Sequence, residues 1–443
     1  MLPGQPRHRI AVLSQHILLP LQGDCNASLQ QELEPSAVTS APSKALDGVQ
    51  VVELATVIAG PMAAAILGDM GATVFKVEPP DGDTFRVGGG PTFELCNHGK
   101  KGVVLDLKQK AGQEAFRGLL GTADVFVTNV RRKALESLNI DYEQLKRAFP
   151  RLVYAHVTGW GRSDTPNTGT VEAENEAAFD VGSFFARSGM MESYRQGLEV
   201  PSAVQWPGAI GDMTTALAIS HGITTALYHR TKTGLGQLVE SSLLHTGMFT
   251  MGMQLTGASL GLDTVASIGW IPTRKPYQTK DGIWLQMLGS VPAHVHLPRL
   301  LRALDLAQLV PPREMWFPPH PGAAELVAAI RQRFAELESH ELQARFAKHD
   351  VWHTVVNTPE MVLRDQRALD LNCLYHAEGV AADQLQMVRA PLNLSHSPFS
   401  APCRAPHLGE HTHEVLEGIL HWDAAQVKQA MGSAADKLKS SGT

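Results

Sequence analysis

From residue 49 the apolar positions alternate between short continuous runs and small-residue helical stretches. VQVVEL at 49–54 reads as a strand, Ala59-Gly60-Pro61 as a turn, MAAAILGDMG as a helix, and ATVFKVE, ending near Glu78, as a second strand. That order is a βαβ unit. CNHGKKGVVLDLK at 96–108 and ADVFVTNV at 123–130 are polar-flanked strand runs, with the helical KAGQEAFRGLL between them. Repeating the alternation predicts an α/β fold, a parallel sheet with right-handed crossovers and a ligand crevice at the carboxyl ends of its strands. The first turn is VIAGP and not GxGxxG, so no dinucleotide site is expected.

A long helix is predicted after GAIGD at 208–212. Ala216, Ile219, Ile223, Ala226 and Leu227 recur at helical spacing, Arg230 and Lys232 form a basic last turn, and Gly234 is a stop. Asp212 then stands at or near the helix N-cap, a place where aspartate is favoured for capping alone. Beyond about Val265, KPYQTKDGIWLQM suggests two strands around the Lys280-Asp281-Gly282 turn, followed by helical stretches to about Lys348. The chain thus divides into an extension or linker at 1–44, a large Rossmann-like domain at 45–260, a smaller α+β domain at 265–370, and a return to the large domain at 371–443.

Composition narrows the class without naming it. The 443 residues are 44% hydrophobic and 19% charged, the make-up of a globular protein, and a net charge of −6 gives no general attraction to nucleic acid. Cys25, Cys96, Cys373 and Cys403 lie far apart with no CxxC spacing, which argues for a reducing compartment and against structural zinc. His407, His411 and His413 match no ligand motif, so no metal is expected. No run approaches the length of a membrane-spanning helix. Residues 1–44, with Arg7 and Arg9 and no acidic residue before Asp24, fit either a transit segment, making the protein mitochondrial, or a simple extension on a cytoplasmic one.

Several phrases together resemble the class III CoA-transferases (the CaiB/BaiF family), which also hold α-methylacyl-CoA racemase. GAIGD, the helix and ALYHRTKTGLGQLVESSL are similar to that family's GD…G…AL..R..TG.GQ…SL signature. Val51 to Glu78 matches its opening motif, with Glu53 where the motif has Asp, and LNIDYEQLKRAFPRLVYAHVTGWG matches a later run. VVNTPEMVLRDQRAL and APHLGEHTHEVL resemble motifs further on.

The resemblance implies a two-domain chain whose homodimer is interlocked like two rings, with an acyl-CoA donor and a small organic acid acceptor as partners and no tightly bound cofactor. It implies that Asp212 is the nucleophile that becomes covalently acylated, that Asp180 assists it, and that Gly211 belongs to the catalytic set, its N–H a candidate oxyanion donor together with that of Gly208. CoA contacts carried over by position are Val57, Asn97, Lys101, Leu105, Lys108, Asn129 and Leu138. A carboxylate at a helix N-terminus is expected to be held ionised by the helix dipole and nearby N–H groups. The racemase branch has a His before the residue matching Asp180, where this chain has Phe179, and a phenyl ring cannot carry a proton. An isomerase and a non-catalytic CoA-binding homologue are the alternatives. Ile58 and Ser137 depart from the formyl-CoA transferase branch, and FFARSGMM with SLLHTGMFTMGMQL looks more like the phenyllactate branch, suggesting a larger acceptor, a hydroxy or dicarboxylic acid.

Overall fold

The structure, a computed structural model, describes residues 44–162, 172–197, 208–262, 271–289, 293–310, 322–376, 379 and 385–436. The expected targeting segment lies, except for Lys44, outside the described residues. Six parallel strands form the central sheet: β1 (Gln50–Leu54), β2 (Thr73–Glu78), β3 (Lys101–Val104), β4 (Val125–Thr128), β5 (Val153–Thr158) and β6 (Leu238–Ser242), in the order β3-β2-β1-β4-β5-β6. Val51 pairs with Val74 on one side and Val125 on the other. Such valine-rich strands suit a sheet covered on both faces.

Helices Ala59–Asp69 and Ile210–Thr233 cover one face. Ala63, Ala64 and Ile66 of the first, and Ala216, Ile219 and Ile223 of the second, are buried with Val51, Val125 and Val153. The other face is covered by Lys110–Thr122 and by the C-terminal helices Thr412–Leu420 and Ala424–Met431. Phe116, Leu119, Leu416 and Val427 pack there against Val52, Phe75 and Phe126. Three layers result, with the parallel sheet in the middle.

The strand run read at 96–108 is shorter in the structure. Cys96 and Asn97 close the helix Pro91–Asn97, started by a proline at its first turn, and Gly99, at φ +67°, turns the chain into β3. Strand β6 has no counterpart in the pattern reading. It is an edge strand in which only Ser242 is buried, so its side chains show no apolar alternation.

A smaller antiparallel sheet joins β7 (Pro276–Gln278), β8 (Trp284–Met287) and β9 (His353–Val355). Gly282 takes φ +80° in the turn between β7 and β8. Helices Ala293–Ala303, Ala323–Glu336 and Ser339–His349 belong to this region, whose own core contains Tyr277, Leu285, Leu300, Phe334 and Phe346. A two-stranded antiparallel ribbon, β10 (Leu374–His376) with β11 (Gln386–Val388), completes the sheets. No helix among the described residues is long and apolar enough to cross a membrane.

Candidate active site

The sheet order reverses direction between β1 and β4, and an open α/β sheet presents its crevice at that point, beyond the carboxyl ends of the strands. A cavity of about 140 Å³ opens there. Its walls come from Val57–Ala59 after β1, Asn129–Arg132 after β4, Thr158 and Gly159 after β5, and from Phe179 and Asp212.

The β1 wall is held in an unusual shape. Val57 adopts φ +70°, a region disfavoured for a β-branched residue and of the kind that persists only where its surroundings enforce it. Asn129 clamps the preceding residue from both sides, accepting from the Thr56 N–H at 3.0 Å and donating to the Thr56 carbonyl at 2.7 Å. Across the cavity, the Nε2–H of His156 donates to the Val130 carbonyl at 2.9 Å, leaving Nδ1 to accept from the Arg162 guanidinium at 2.9 Å.

Asp212 is the third residue of the Ile210–Thr233 helix, whose N-cap is Ala209. Capping therefore does not account for it. Burial, and then the like charge of Asp180, push its carboxyl up to about 7. Asp180 is 6% exposed and immediately precedes the short π-helical turn Val181–Ala186. Burial raises it to about 6, against the opposing effect of the Gly211 and Asp212 backbone N–H groups. Oδ1 of Asp180 lies 1.9 Å from where a Cβ on Gly211 would stand, so only glycine fits there.

One expectation changes as a result. The helix-terminal amides favour the charge of Asp180, and Asp212 is held near neutral pH by desolvation instead of being kept fully ionised. The Gly211 N–H lies toward Asp180, whose charge it favours. Coupled carboxyls with displaced pKa values in a crevice are the mark of a site built for proton or acyl chemistry.

Of the other residues carried over by position, Val57 and Asn129 line the cavity with Asp212, while Asp180 and Gly211 are buried against each other and do not line it. Asn97 is fully buried and spends its amide on the Phe93 carbonyl and the Lys100 ammonium. The Leu105 side chain is fully buried in the core, so in this conformation neither offers side-chain surface to a ligand. Lys101 stands at the amino end of β3, paired with Glu414, while Lys108 is exposed and Leu138 packs at the edge of the core, none of them lining the cavity. Among the described residues no group of three or more His, Cys, Asp or Glu is placed to hold a metal.

A buried ionic network, not evident from the sequence pattern, adjoins the Val57 wall through the Ala55 carbonyl. Glu53, Lys76 and Lys100 are buried at 0%, 0% and 4% exposure and share one ionic network. Charged residues inside a strand run are the signal for it, since lysine and glutamate are almost never fully buried unless paired.

The model of "CoA-transferase family III" matches residues 46–412. This chain belongs to CoA-transferase family III. Over 84% of its length it is 31% identical to the (R)-2-hydroxy-4-methylpentanoate CoA-transferase of Clostridioides difficile, covering 95% of that protein. Identity is also 31% to the cinnamoyl-CoA:phenyllactate CoA-transferase of Clostridium sporogenes, over 84% of this chain and 92% of that one. The human α-methylacyl-CoA racemase is 29% identical over 90% of this chain and all of its own length. Among solved structures, a CAIB/BAIF family protein from Brucella suis superposes with a TM-score of 0.72 at 25% identity, over 85% of this chain and 100% of that one. Membership of the family, an enzyme activity of the CoA-transferase class and the mixed α/β fold follow.

Proposed function

We propose that the chain moves CoA from an acyl-CoA thioester to a carboxylic acid through a covalent intermediate on Asp212. The observation that carries this is a half-buried carboxyl at the switch point of the sheet, coupled to a second carboxyl and facing a cavity. The Asp212 carboxylate adds to the thioester carbonyl, a C–O bond forms, the C–S bond breaks and CoA thiolate leaves. The thiolate then attacks the Asp212 carbonyl of the mixed anhydride, releasing the donor acid and leaving an aspartyl-CoA thioester. The acceptor carboxylate repeats the two steps in reverse, restoring free Asp212 and yielding the new acyl-CoA. One thioester replaces another, so atoms, charge and energy balance without ATP.

A pKa near 7 keeps a sizeable fraction of Asp212 ionised at neutral pH while making it a stronger nucleophile than an ordinary carboxylate. Release of the anionic nucleophile from the repulsion of Asp180 favours its acylation. Phe179, 66% exposed and lining the cavity, supports transfer over isomerisation, because the residue next to Asp180 has no group to carry a proton. For the acceptor we infer a 2-hydroxy acid of medium size, on the names of the two CoA-transferase relatives. Acceptor selectivity is tested by offering 2-hydroxy acids and dicarboxylic acids in parallel to the enzyme with succinyl-, acetyl- and cinnamoyl-CoA. New acyl-CoA formed from a 2-hydroxy acid, with no deuterium uptake at the donor's α-carbon, is the expected result. Deuterium uptake without transfer would replace this reading with an isomerase.

A further inference from the structure

Beneath the strained Val57 lies an ionic network that the catalytic chemistry does not use. Oε1 of Glu53 accepts from Lys76 Nζ at 3.1 Å, and its Oε2 accepts from Lys100 Nζ at 2.6 Å. Lys76 gives its remaining protons to Asp83 at 3.0 Å and to the Ala55 carbonyl at 3.1 Å. Lys100 gives its own to Asn97 at 3.0 Å and to the Pro61 carbonyl at 2.8 Å. Each ammonium is thus fully satisfied, and two positive charges meet two negative ones in Glu53 and Asp83.

Two of these acceptors, Ala55 and Pro61, are backbone carbonyls. Ala55 and Pro61 bracket the segment that carries Val57, which runs from the end of β1 into the first turn of the Ala59–Asp69 helix, so one glutamate grips both ends of it through two lysines. Asn129 holds the same segment at Thr56 from the opposite side. Inside the segment there is little slack, since a Cβ on Gly60 would stand 2.7 Å from that of Ala55. Buried ion networks are poor stabilisers compared with apolar packing of the same volume, so stability alone is a weak reason for this one. A backbone at positive φ in a β-branched residue, by contrast, needs an external hold.

We propose that Glu53, acting through Lys76 and Lys100, is a positioning residue that fixes the Ala55–Pro61 segment and so sets the Val57 wall of the Asp212 cavity. This rests on reading that cavity as the active site. Glu53 does not touch substrate. Its reach matters as well as its charge, because both oxygens are used on lysines that arrive from different elements, β2 and the segment before β3. Shortening it by one methylene keeps the charge and withdraws the carboxylate from at least one ammonium.

The test is Glu53→Asp in two backgrounds, the natural Val57 and Val57→Gly, with kcat/KM measured for whichever of succinyl-, acetyl- and cinnamoyl-CoA the unaltered enzyme accepts. Glycine takes positive φ without strain and has no need of the hold. E53D is expected to lower kcat/KM about tenfold or more with Val57 present, and less than about threefold in the V57G background, while thermal melting shows both folded. Equal losses in the two backgrounds, or no loss at all, overturn the proposal. Asn129→Ala loosens the same segment without touching the buried charges. Should E53D fail to fold, N129A carries the test, with the same dependence on residue 57 expected and its absence counting against the proposal. D212A, measured alongside, separates the two levels: turnover by folded D212A defeats the reading of the site, whatever E53D does.

Discussion

Oδ1 of Asp180 occupies the space, 1.9 Å away, where a Cβ on Gly211 would project, with the Phe184 ring 2.3 Å from the same point. Gly211, the neighbour of Asp212 in sequence, is thereby the contact that brings the second carboxyl in. Gly211→Ala would gain up to about 1 kcal/mol of helix propensity, against about 1–3 kcal/mol for overpacking a full site. Overpacking wins, because Asp180 and Phe184 are both buried. The variant is expected to melt several degrees lower and to lose most of its activity. A G211A protein more stable than the unaltered one would show that the site is looser than described.

Asp212 must be ionised to attack, so kcat/KM should rise with pH through about 7. Burial is the larger cause of that high pKa and Asp180 the smaller. Asp180→Asn removes the like charge and leaves the burial, and is expected to move the acidic limb of the profile to lower pH without returning it to the usual carboxylate range. The pH dependence of kcat/KM for the two proteins checks this. An unmoved limb means the two carboxyls are not coupled in solution.

The same shifts have a consequence for stability. Both carboxyls have folded-state pKa values above the ordinary aspartate value of 3.8, at about 7 for Asp212 and about 6 for Asp180. The folded chain therefore holds protons that the unfolded chain has released, and stability falls as pH rises from about 4 to about 7. Asp212→Asn should be more stable than the unaltered protein at pH 8 by about 1–2 kcal/mol, after allowing for solvent screening, and nearly equal to it at pH 4. Urea denaturation at the two pH values measures the difference. A site that is destabilising when intact is the expected cost of placing an anion in a dry crevice.

Gly234 closes the Asp212 helix at φ +76°, its N–H bonded to the Arg230 carbonyl. A Cβ there would meet only Arg151, at 4.0 Å, so the penalty of Gly234→Ala is conformational. About 1 kcal/mol, seen as a modest fall in melting temperature with activity retained, is expected.

That helix was the most legible part of the chain. Ala216, Ile219, Ile223, Ala226 and Leu227, picked out by spacing, are all buried, and its basic last turn and glycine stop stand where the sequence puts them. The parallel sheet was legible for a similar reason: β1, β2, β4 and β5 are apolar-rich runs with few polar interruptions, as strands covered on both faces tend to be. Strand β6 was not, because an edge strand needs no apolar pattern.

Within the site, Asp212 was legible as a motif, but its electrostatics were not. Burial by elements distant in sequence decides its pKa, and Asp180 reaches it across 32 residues of chain. The Glu53 network escaped for the same reason, since Lys100 lies 47 residues from Glu53 and no local period links them. Val57 reads as an ordinary apolar residue. Its positive φ accompanies contacts made only in the folded chain, such as that of Asn129 with Thr56.

The central claim is a covalent bond to Asp212, and mass spectrometry of the protein incubated with succinyl-, acetyl- or cinnamoyl-CoA tests it most directly. Hydroxylamine or borohydride trapping, mapped to peptides, should mark the peptide containing Asp212 in the presence of a productive donor and leave it unmarked without one. Donor-dependent turnover with no adduct on Asp212, or with the adduct on another residue, would contradict the account.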